Sequence, residues 1–581
     1  MRASSARLLP YLIRYRRGLA WGLASVALAN LIALAQPQVL GLAVDDLYRG
    51  VTAAKLGRYA LIVFGISVLS GVFTYRMRQA VIGISRHVEF DLRNDLFAHL
   101  QSLPLQYFQR SRTGEIMSRA TNDLSAVRLM LGPGVMYLVN TTVVAVVALG
   151  FMLAISPRLT LYALLPLPLV SFSVWFFGER IHRRFEDIQA HFATVSARVQ
   201  ENLAGVRVVR AFVREPAEIE DFQALNREYL DKNLALIRTS GVFHPALGFL
   251  SGLAALIGLY LGGREVVARH ITLGQFVAFT VYLAKLNWPV FALGWVINLF
   301  QRGMASFGRI VEILDVVPEI RSPARGRRPP RARGEIEFRN LTFRYPGTDV
   351  PALREVSLKV PAGKIAAMVG RTGGGKTTLL SMLPRVFDPP PGTVFLDGVD
   401  VREFDLEWLR LQMAYATQES FLFSTTVAEN IAYGVAGATR PEIERVAAIA
   451  RLDSDVRGFS QGFDTLVGER GITLSGGQKQ RATIARALLR RAPVLMLDDC
   501  FSSVDTHTEE AILQGLRHEL SGRTTLLVSH RVSTVRDADL IVVLEDGGVA
   551  ERGTHETLLR EGGRYARLYR EQQLEEELEA S

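Results

Sequence analysis

Cysteine is almost absent: Cys500 is the single thiol in 581 residues. One cysteine permits no intrachain disulfide, which argues for a cytosolic or membrane-embedded protein over a secreted one. Charge is also sparse. Charged residues make up 21 % and hydrophobic ones 49 %, with a mean hydropathy of +0.18. That balance excludes a disordered chain and is unusual for a purely soluble enzyme. The net charge of +10 admits two classes, a nucleic-acid binder or a membrane protein with basic cytosolic loops.

The scarce charge is unevenly placed. Gly18–Val44, Tyr59–Tyr75, Gly132–Ser156, Leu159–Gly178 and Phe243–Gly263 contain no charged residue, and Ile271–Gln301 contains only Lys285. About 20 apolar residues span a bilayer core, so these runs predict six transmembrane helices. Arg2, Arg7, Arg14, Arg16 and Arg17 precede the first run, which places the N-terminus in the cytosol and returns the chain there near Gln301. The expected location is the cell (inner) membrane. The two long cytosolic connections, Arg76–Leu131 and Glu179–Val242, read as helices continuing out of the bilayer. Each has a reversal, at Leu103–Gly114 and at Asn202–Phe212. No contiguous basic recognition helix is present, so nucleic acid is not an expected partner.

After Ile320 the composition changes. Arg321–Arg333 holds six Arg and three Pro and reads as a solvated linker, with an anionic-lipid contact as the alternative. An α/β pattern follows. The acidic tail Glu571–Glu579 reads as a solvated end or a short partner-binding helix.

Gly370-Arg371-Thr372-Gly373-Gly374-Gly375-Lys376-Thr377 matches a phosphate-binding loop, between a strand-like Ile365–Val369 and a helix opening at Thr378. Glycines there let backbone N–H groups face phosphates, Lys376 neutralises the β/γ oxygens, and Thr377 can hold Mg²⁺. Val494–Leu497 is an apolar strand ending in Asp498, a second Mg²⁺ ligand. Leu474-Ser475-Gly476-Gly477-Gln478 opens another helix, a further anion site. One subunit cannot easily aim both sites at one γ-phosphate, so ATP is expected between two subunits.

In this order, with Ser529-His530 following, these motifs resemble an ATP-binding cassette (ABC) domain. Six preceding spans with long cytosolic extensions resemble a half-transporter of the exporter type (type IV), and in particular the Asp-bearing subunit of a heterodimeric multidrug exporter. The resemblance implies a multi-domain membrane protein, a six-helix α transmembrane domain followed by an α/β P-loop ABC nucleotide-binding domain. The expected bounds are 1–317 for the membrane domain, 318–334 for the linker, 335–565 for the nucleotide-binding domain and 566–581 for the tail. It further implies that Tyr345 stacks on adenine, that Gln418 contacts Mg²⁺ and the attacking water, that Gly468-Glu469-Arg470 belongs to an exporter-specific segment, that Asp505 lies in a loop communicating across the dimer, and that His530 is the switch histidine. ATP and Mg²⁺ are the implied cofactors, and the two reversals are the implied coupling helices.

One position departs from the family pattern. After Asp498 the family has Glu, the carboxylate that orients or deprotonates water; here it is Asp499. The shorter side chain withdraws the carboxylate by about one bond, and about 1 Å of misplacement can cost about 10²-fold in rate. With Ser475–Gln478 intact, this pattern implies a heterodimer in which this chain contributes a slow ATP site and completes its partner's. For cargo, intramembrane Lys285, Asn287, Trp288 and Asn298, with Arg76 and Arg78 near the inner surface, predict a cavity for amphipathic or anionic molecules: drugs, lipids or peptides. A homodimeric lipid flippase and an importer on the same scaffold are the alternatives.

Overall fold

The computed structural model describes residues 2–468, 471 and 473–580; of residues 2–5, 167, 287, 290, 291, 506 and 575–580 only the backbone is described. Glu469 and Arg470, and the side chain of Asn287, therefore lie outside it. The chain divides into two units: residues 1–101 with 111–316, and residues 102–110 with 317–581.

The first unit is helical. Its principal helices are α1 (Arg16–Tyr48), α2 (Ala53–Ser102), α3 (Val135–Ile155), α4 (Leu167–Ala204), α5 (Glu215–Val267) and α6 (Leu273–Leu314). Among the described residues, five helical runs are long and apolar enough to cross a membrane: Arg16–Tyr48, Ala53–Ser102, Thr113–Ile155, Pro157–Ala204 and Glu215–Val267. This is one fewer than the six predicted. The sixth run, which contains Lys285, lies in α6, whose described apolar stretch is the shorter Leu273–Leu286. Helices α2 and α5, of 50 and 53 residues, are about 75 Å long at 1.5 Å per residue, far more than a bilayer core. Both predicted reversals occur. Helix α2 stops at Ser102, before Pro104, and a short helix follows at Leu105–Arg110; α4 stops at Gly205, and Val206–Ala211 follows. Pro104 lacks the N–H that an uninterrupted helix needs.

Small residues and buried polar pairs fix the helices. A Cβ on Gly274 would lie 2.0 Å from the Gly41 carbonyl, so α1 and α6 meet at backbone distance, as small residues permit in membranes. Asp45 closes this junction, accepting from the Gly274 N–H at 2.7 Å and Thr272 Oγ1 at 2.5 Å. Tyr282 donates to the Leu34 carbonyl at 2.6 Å and stacks on Phe151. Further along α6, Arg309 forms a two-pronged pair with the buried Asp123.

The second unit holds two sheets. The antiparallel one runs β2-β1-β4-β5, from β1 (Ile336–Phe343), β2 (Leu353–Val360), β4 (Val394–Leu396) and β5 (Val399–Asp400). The other runs β10-β9-β3-β8-β7-β6, from β3 (Ile365–Val369), β6 (Met413–Ala416), β7 (Val494–Asp498), β8 (Thr524–Val528), β9 (Leu540–Glu545) and β10 (Gly548–Gly553); it is parallel except for the β9–β10 pair. Strands β7 and β8 are buried throughout, as a sheet covered on both faces demands. The linker is exposed at every position from Arg321 to Arg333 except Gly326 and Ala332, as a solvated linker should be, but it is tied down at three points. Arg327 pairs with Glu403, Arg328 with Asp405, and Trp408 Nε1 donates to the Pro329 carbonyl at 2.7 Å. The last helix, α11 (Arg564–Ala580), is docked through the buried Tyr565 and Ala566, whereas Glu571, Gln573 and Leu574 of the acidic tail are exposed, as expected of a solvated end.

Candidate functional site

Strands β3, β8 and β7 are neighbours, so the segments leaving their carboxyl ends converge, where ligands bind in open α/β sheets. Gly370–Thr377 leaves β3 and enters α7 (Lys376–Met382). Two glycines are required by shape. Gly370 has φ +147° and a Cβ there would lie 2.1 Å from the Leu544 carbonyl; Gly375 has φ +94° and a Cβ would lie 2.7 Å from the Ala352 carbonyl. The loop that results presents its backbone N–H groups at a helix start, an anion cradle.

The cleft over this loop measures about 300 Å³ and is lined by Tyr345, Thr372–Thr378, Gln418, Asp499 and His530 among others. Lys376 Nζ donates to the carbonyls of Gly370 and Arg371 at 2.8 and 2.9 Å. Burial lowers its pKa, against the pull of Asp499 and Asp498. A buried ammonium is costly unless paired, so a polyanion is a natural partner. Tyr345 holds its ring edge-on to Phe343 and Phe387, and its hydroxyl lies 2.8 Å from Thr378 Oγ1.

Asp498 is fully buried. It accepts from Thr377 Oγ1 at 3.0 Å and from Tyr415 Oη at 2.9 Å. Burial raises its pKa, opposed by those two bonds. Among the described residues no cluster of three or more His, Cys, Asp and Glu could cage a metal. Thr377 Oγ1 and the Asp498 carboxylate, 3.0 Å apart, are hard oxygen donors, and Gln418, which lines the same cleft as Thr377, carries a third. That fits Mg²⁺, which keeps water and substrate phosphates as its remaining ligands.

Asp499 has φ +46°, and its N–H donates to the Val528 carbonyl at 3.0 Å, pinning it to β8. Its Oδ1 lies 2.8 Å from His530 Nδ1, and its Oδ2 accepts from Gln418 Nε2 at 3.4 Å. The carboxylate can only accept, so Nδ1–H donates and Nε2 is left for a substrate. That bond is the main cause of the raised His530 pKa.

Ser475–Gln478 is absent from the lining of this cleft. Ser475 caps α8 (Gly476–Leu489): its hydroxyl accepts from the Gln478 N–H at 3.3 Å, and Gln478 Oε1 accepts from the Ser475 N–H at 3.0 Å. Asp505 similarly caps α9 (Thr506–Leu520), accepting from the Thr508 N–H at 2.9 Å. Sequence reading missed the link between them. Buried Gln480 bonds both Ser502 Oγ and the Ser503 N–H at 2.8 Å, tying the Ser-Gly-Gly helix to the loop before α9. Tyr415, which holds Asp498, was also missed; its only sequence signal is its place at the end of a short strand.

In the first unit a cavity of about 230 Å³ is lined by Asn30 and Ala33 of α1, Ser70, Thr74 and Arg78 of α2, and Tyr137 and Asn140 of α3, with three further residues. Lys285, Trp288 and Asn298, all on α6, are not among its lining residues. Of the polar groups expected around cargo, Arg78 lines this cavity, together with Asn30 and Asn140.

These features define a membrane exporter half with an ATP-binding cassette. A profile of the ABC transporter transmembrane region matches residues 19–290, and one of the ABC transporter matches residues 353–502. A probable multidrug resistance ABC transporter ATP-binding/permease protein of Bacillus subtilis is 38 % identical, covering 94 % of this chain and 93 % of that one. An ATP-dependent lipid A-core flippase of Syntrophus aciditrophicus is 35 % identical over 91 % of this chain and 87 % of its own. The solved structure of a bacterial Atm1-family ABC exporter with ATP bound superposes with a TM-score of 0.77 at 28 % identity, covering 96 % of this chain and 98 % of that one. The chain belongs to the ABC transporter family, as an exporter-type half-transporter that uses ATP.

Proposed function

We propose that this chain is one half of a heterodimeric exporter in the cell membrane, with six spans, a cytosolic N-terminus and cytosolic nucleotide-binding domain, and a slow ATP site of its own. The observation that carries this is the setting of Asp499. Both of its oxygens are engaged, by His530 and by Gln418, and its side chain is one bond shorter than the family's Glu. It is ill placed to take a proton from water.

ATP binds with its phosphates on the Gly370–Thr377 loop, Lys376 against the β/γ oxygens, Tyr345 against adenine, and His530 Nε2 toward the γ-phosphate. Thr377, Asp498 and Gln418 would hold Mg²⁺, which when bound would supply neutralisation of the phosphate charge. Ser475–Gln478, lying outside this chain's cleft, serves the nucleotide of the partner subunit. Asp505 sits where the two halves exchange information. ATP favours the closed pair of nucleotide domains and hydrolysis lets them part, which shifts the spans between inward and outward openings.

The cargo is amphipathic, a drug, lipid or peptide, and the Arg78 cavity favours one with an anionic group. A homodimeric lipid flippase is the second reading, favoured by the likeness to lipid A-core flippases. One experiment separates the two: ATPase assay of the purified chain alone, in lipid. Trace turnover supports the heterodimer; brisk turnover that responds to lipid supports the flippase and overturns the heterodimer.

A further inference from the structure

His530 stands on a segment with little structure of its own. It follows β8 and precedes α10 (Val532–Val535), a helix of four residues. Its backbone must be set by neighbours, and two side chains set it. From one side, the carboxylate of Glu509, 2 % exposed, accepts from Arg531 Nη1 at 2.5 Å and from Thr534 Oγ1. Ser529 completes this cluster, donating to Thr534 Oγ1 at 3.2 Å and accepting from the Arg531 N–H at 3.0 Å.

From the other side comes Gln572 of α11. Its Oε1 accepts from the Val532 N–H at 2.7 Å and its Nε2 donates to the His530 carbonyl at 2.5 Å. A side-chain amide offers a donor and an acceptor side by side in one plane without depending on pH. The helix that carries it is anchored independently. Glu551 accepts from the Arg564 and Tyr565 N–H groups at 2.5 and 3.0 Å, and the buried Tyr565 hydroxyl meets His555 Nδ1 at 2.7 Å. Gln572 sits two turns beyond that anchor, so its amide is delivered by a fixed helix.

We propose that Gln572 is a positioning residue for His530: through it, the C-terminal helix holds the switch imidazole against Asp499 with Nε2 facing the nucleotide. The proposal rests on the reading of His530 as the nucleotide-facing group. It gives the carboxyl end of the chain a part in ATP turnover, where its composition alone reads as a solvated tail.

The test is single-turnover MgATP hydrolysis by the full-length chain in lipid nanodiscs, in the native and Asp499→Glu backgrounds. The variants are Gln572→Ala, His530→Ala, a chain ending at Gln573 and a chain ending at Glu571. Gln572→Ala and the shorter chain are expected to lower the maximal rate about tenfold, with half-saturating ATP within about twofold and the melting temperature unchanged. The chain ending at Gln573 should match the full chain. An unchanged maximal rate in Gln572→Ala, or a joint loss of rate, ATP affinity and melting temperature, overturns the proposal. His530→Ala separates the two readings. If it keeps its rate, the nucleotide-facing reading fails; if it loses rate while Gln572→Ala keeps it, only the positioning role fails. Hydrogen exchange at the Val532 amide, read on the same samples without turnover, should rise in Gln572→Ala, and unchanged exchange also overturns the proposal.

Discussion

His530 Nδ1 lies 2.8 Å from Asp499 Oδ1, and this bond couples the switch residue to the carboxylate that departs from the family pattern. It raises the folded-state pKa of His530 above the ordinary value of 6.5. A raised pKa contributes stability that is full below pH 6.5 and is lost as pH rises through the folded value. The native chain should therefore lose melting temperature relative to His530→Ala as pH is taken from 6 toward 8. The effect is small, because the imidazole is half exposed and solvent screens the pair. Parallel melting curves for both proteins across this range contradict the bond.

Asp499→Glu tests the reach of the carboxylate. Restoring about one bond should raise the single-turnover rate at this site at least about tenfold, worth about 1.4 kcal/mol of barrier. The left-handed backbone at this position tolerates Asp better than Glu, so the variant should melt slightly lower. A rate no faster than native shows that reach does not limit the site.

Ser475→Ala should leave ATP binding to this chain's own loop intact, while Lys376→Ala weakens it at least about tenfold. In the transporter assembled with its partner, Ser475→Ala should cut steady-state turnover about tenfold. Loss of the helix cap alone costs about 1 kcal/mol of stability, so a melting curve distinguishes the two effects. Unchanged turnover removes the assignment of Ser475 to the partner's nucleotide.

Arg78→Ala should weaken stimulation of ATPase by anionic amphiphiles at least about threefold while leaving basal turnover unchanged, because the cavity of Arg78, Asn30 and Asn140 lies in the membrane unit. Lys285→Ala, on α6, should have the smaller effect. Equal stimulation of native and Arg78→Ala chains by anionic and neutral cargo rules out Arg78 as an anion contact.

Cys500 is fully buried, and burial raises its thiol pKa. Thiolates react and buried thiols do not. Maleimide should label the native chain negligibly and the denatured chain once. Rapid native labelling shows that the end of β7 opens.

Strong local patterns were legible in the sequence: charge-free runs, the Pro104 and Gly205 reversals, and the Gly370–Thr377 loop between strand and helix. Each is decided by residues close in the chain. Less legible were groups whose meaning depends on distant partners. Arg327 and Arg328 are solvated as read, but their pairing with Glu403 and Asp405 carries no sequence signal, and Gln572 carries no pattern that points to a histidine 42 residues upstream.

The sequence by itself determined five of the membrane helices, the nucleotide loop and the Asp at position 499, because hydrophobic run length, glycine spacing and side-chain length are local quantities. Tertiary structure alone decided that Asp499 has both oxygens engaged, that Gln480 ties the Ser475 helix to the loop before α9, and that α11 grips the His530 loop. Those are hydrogen bonds between remote segments, and a directional bond a few ångströms long exists only once the sheet has set its strands side by side.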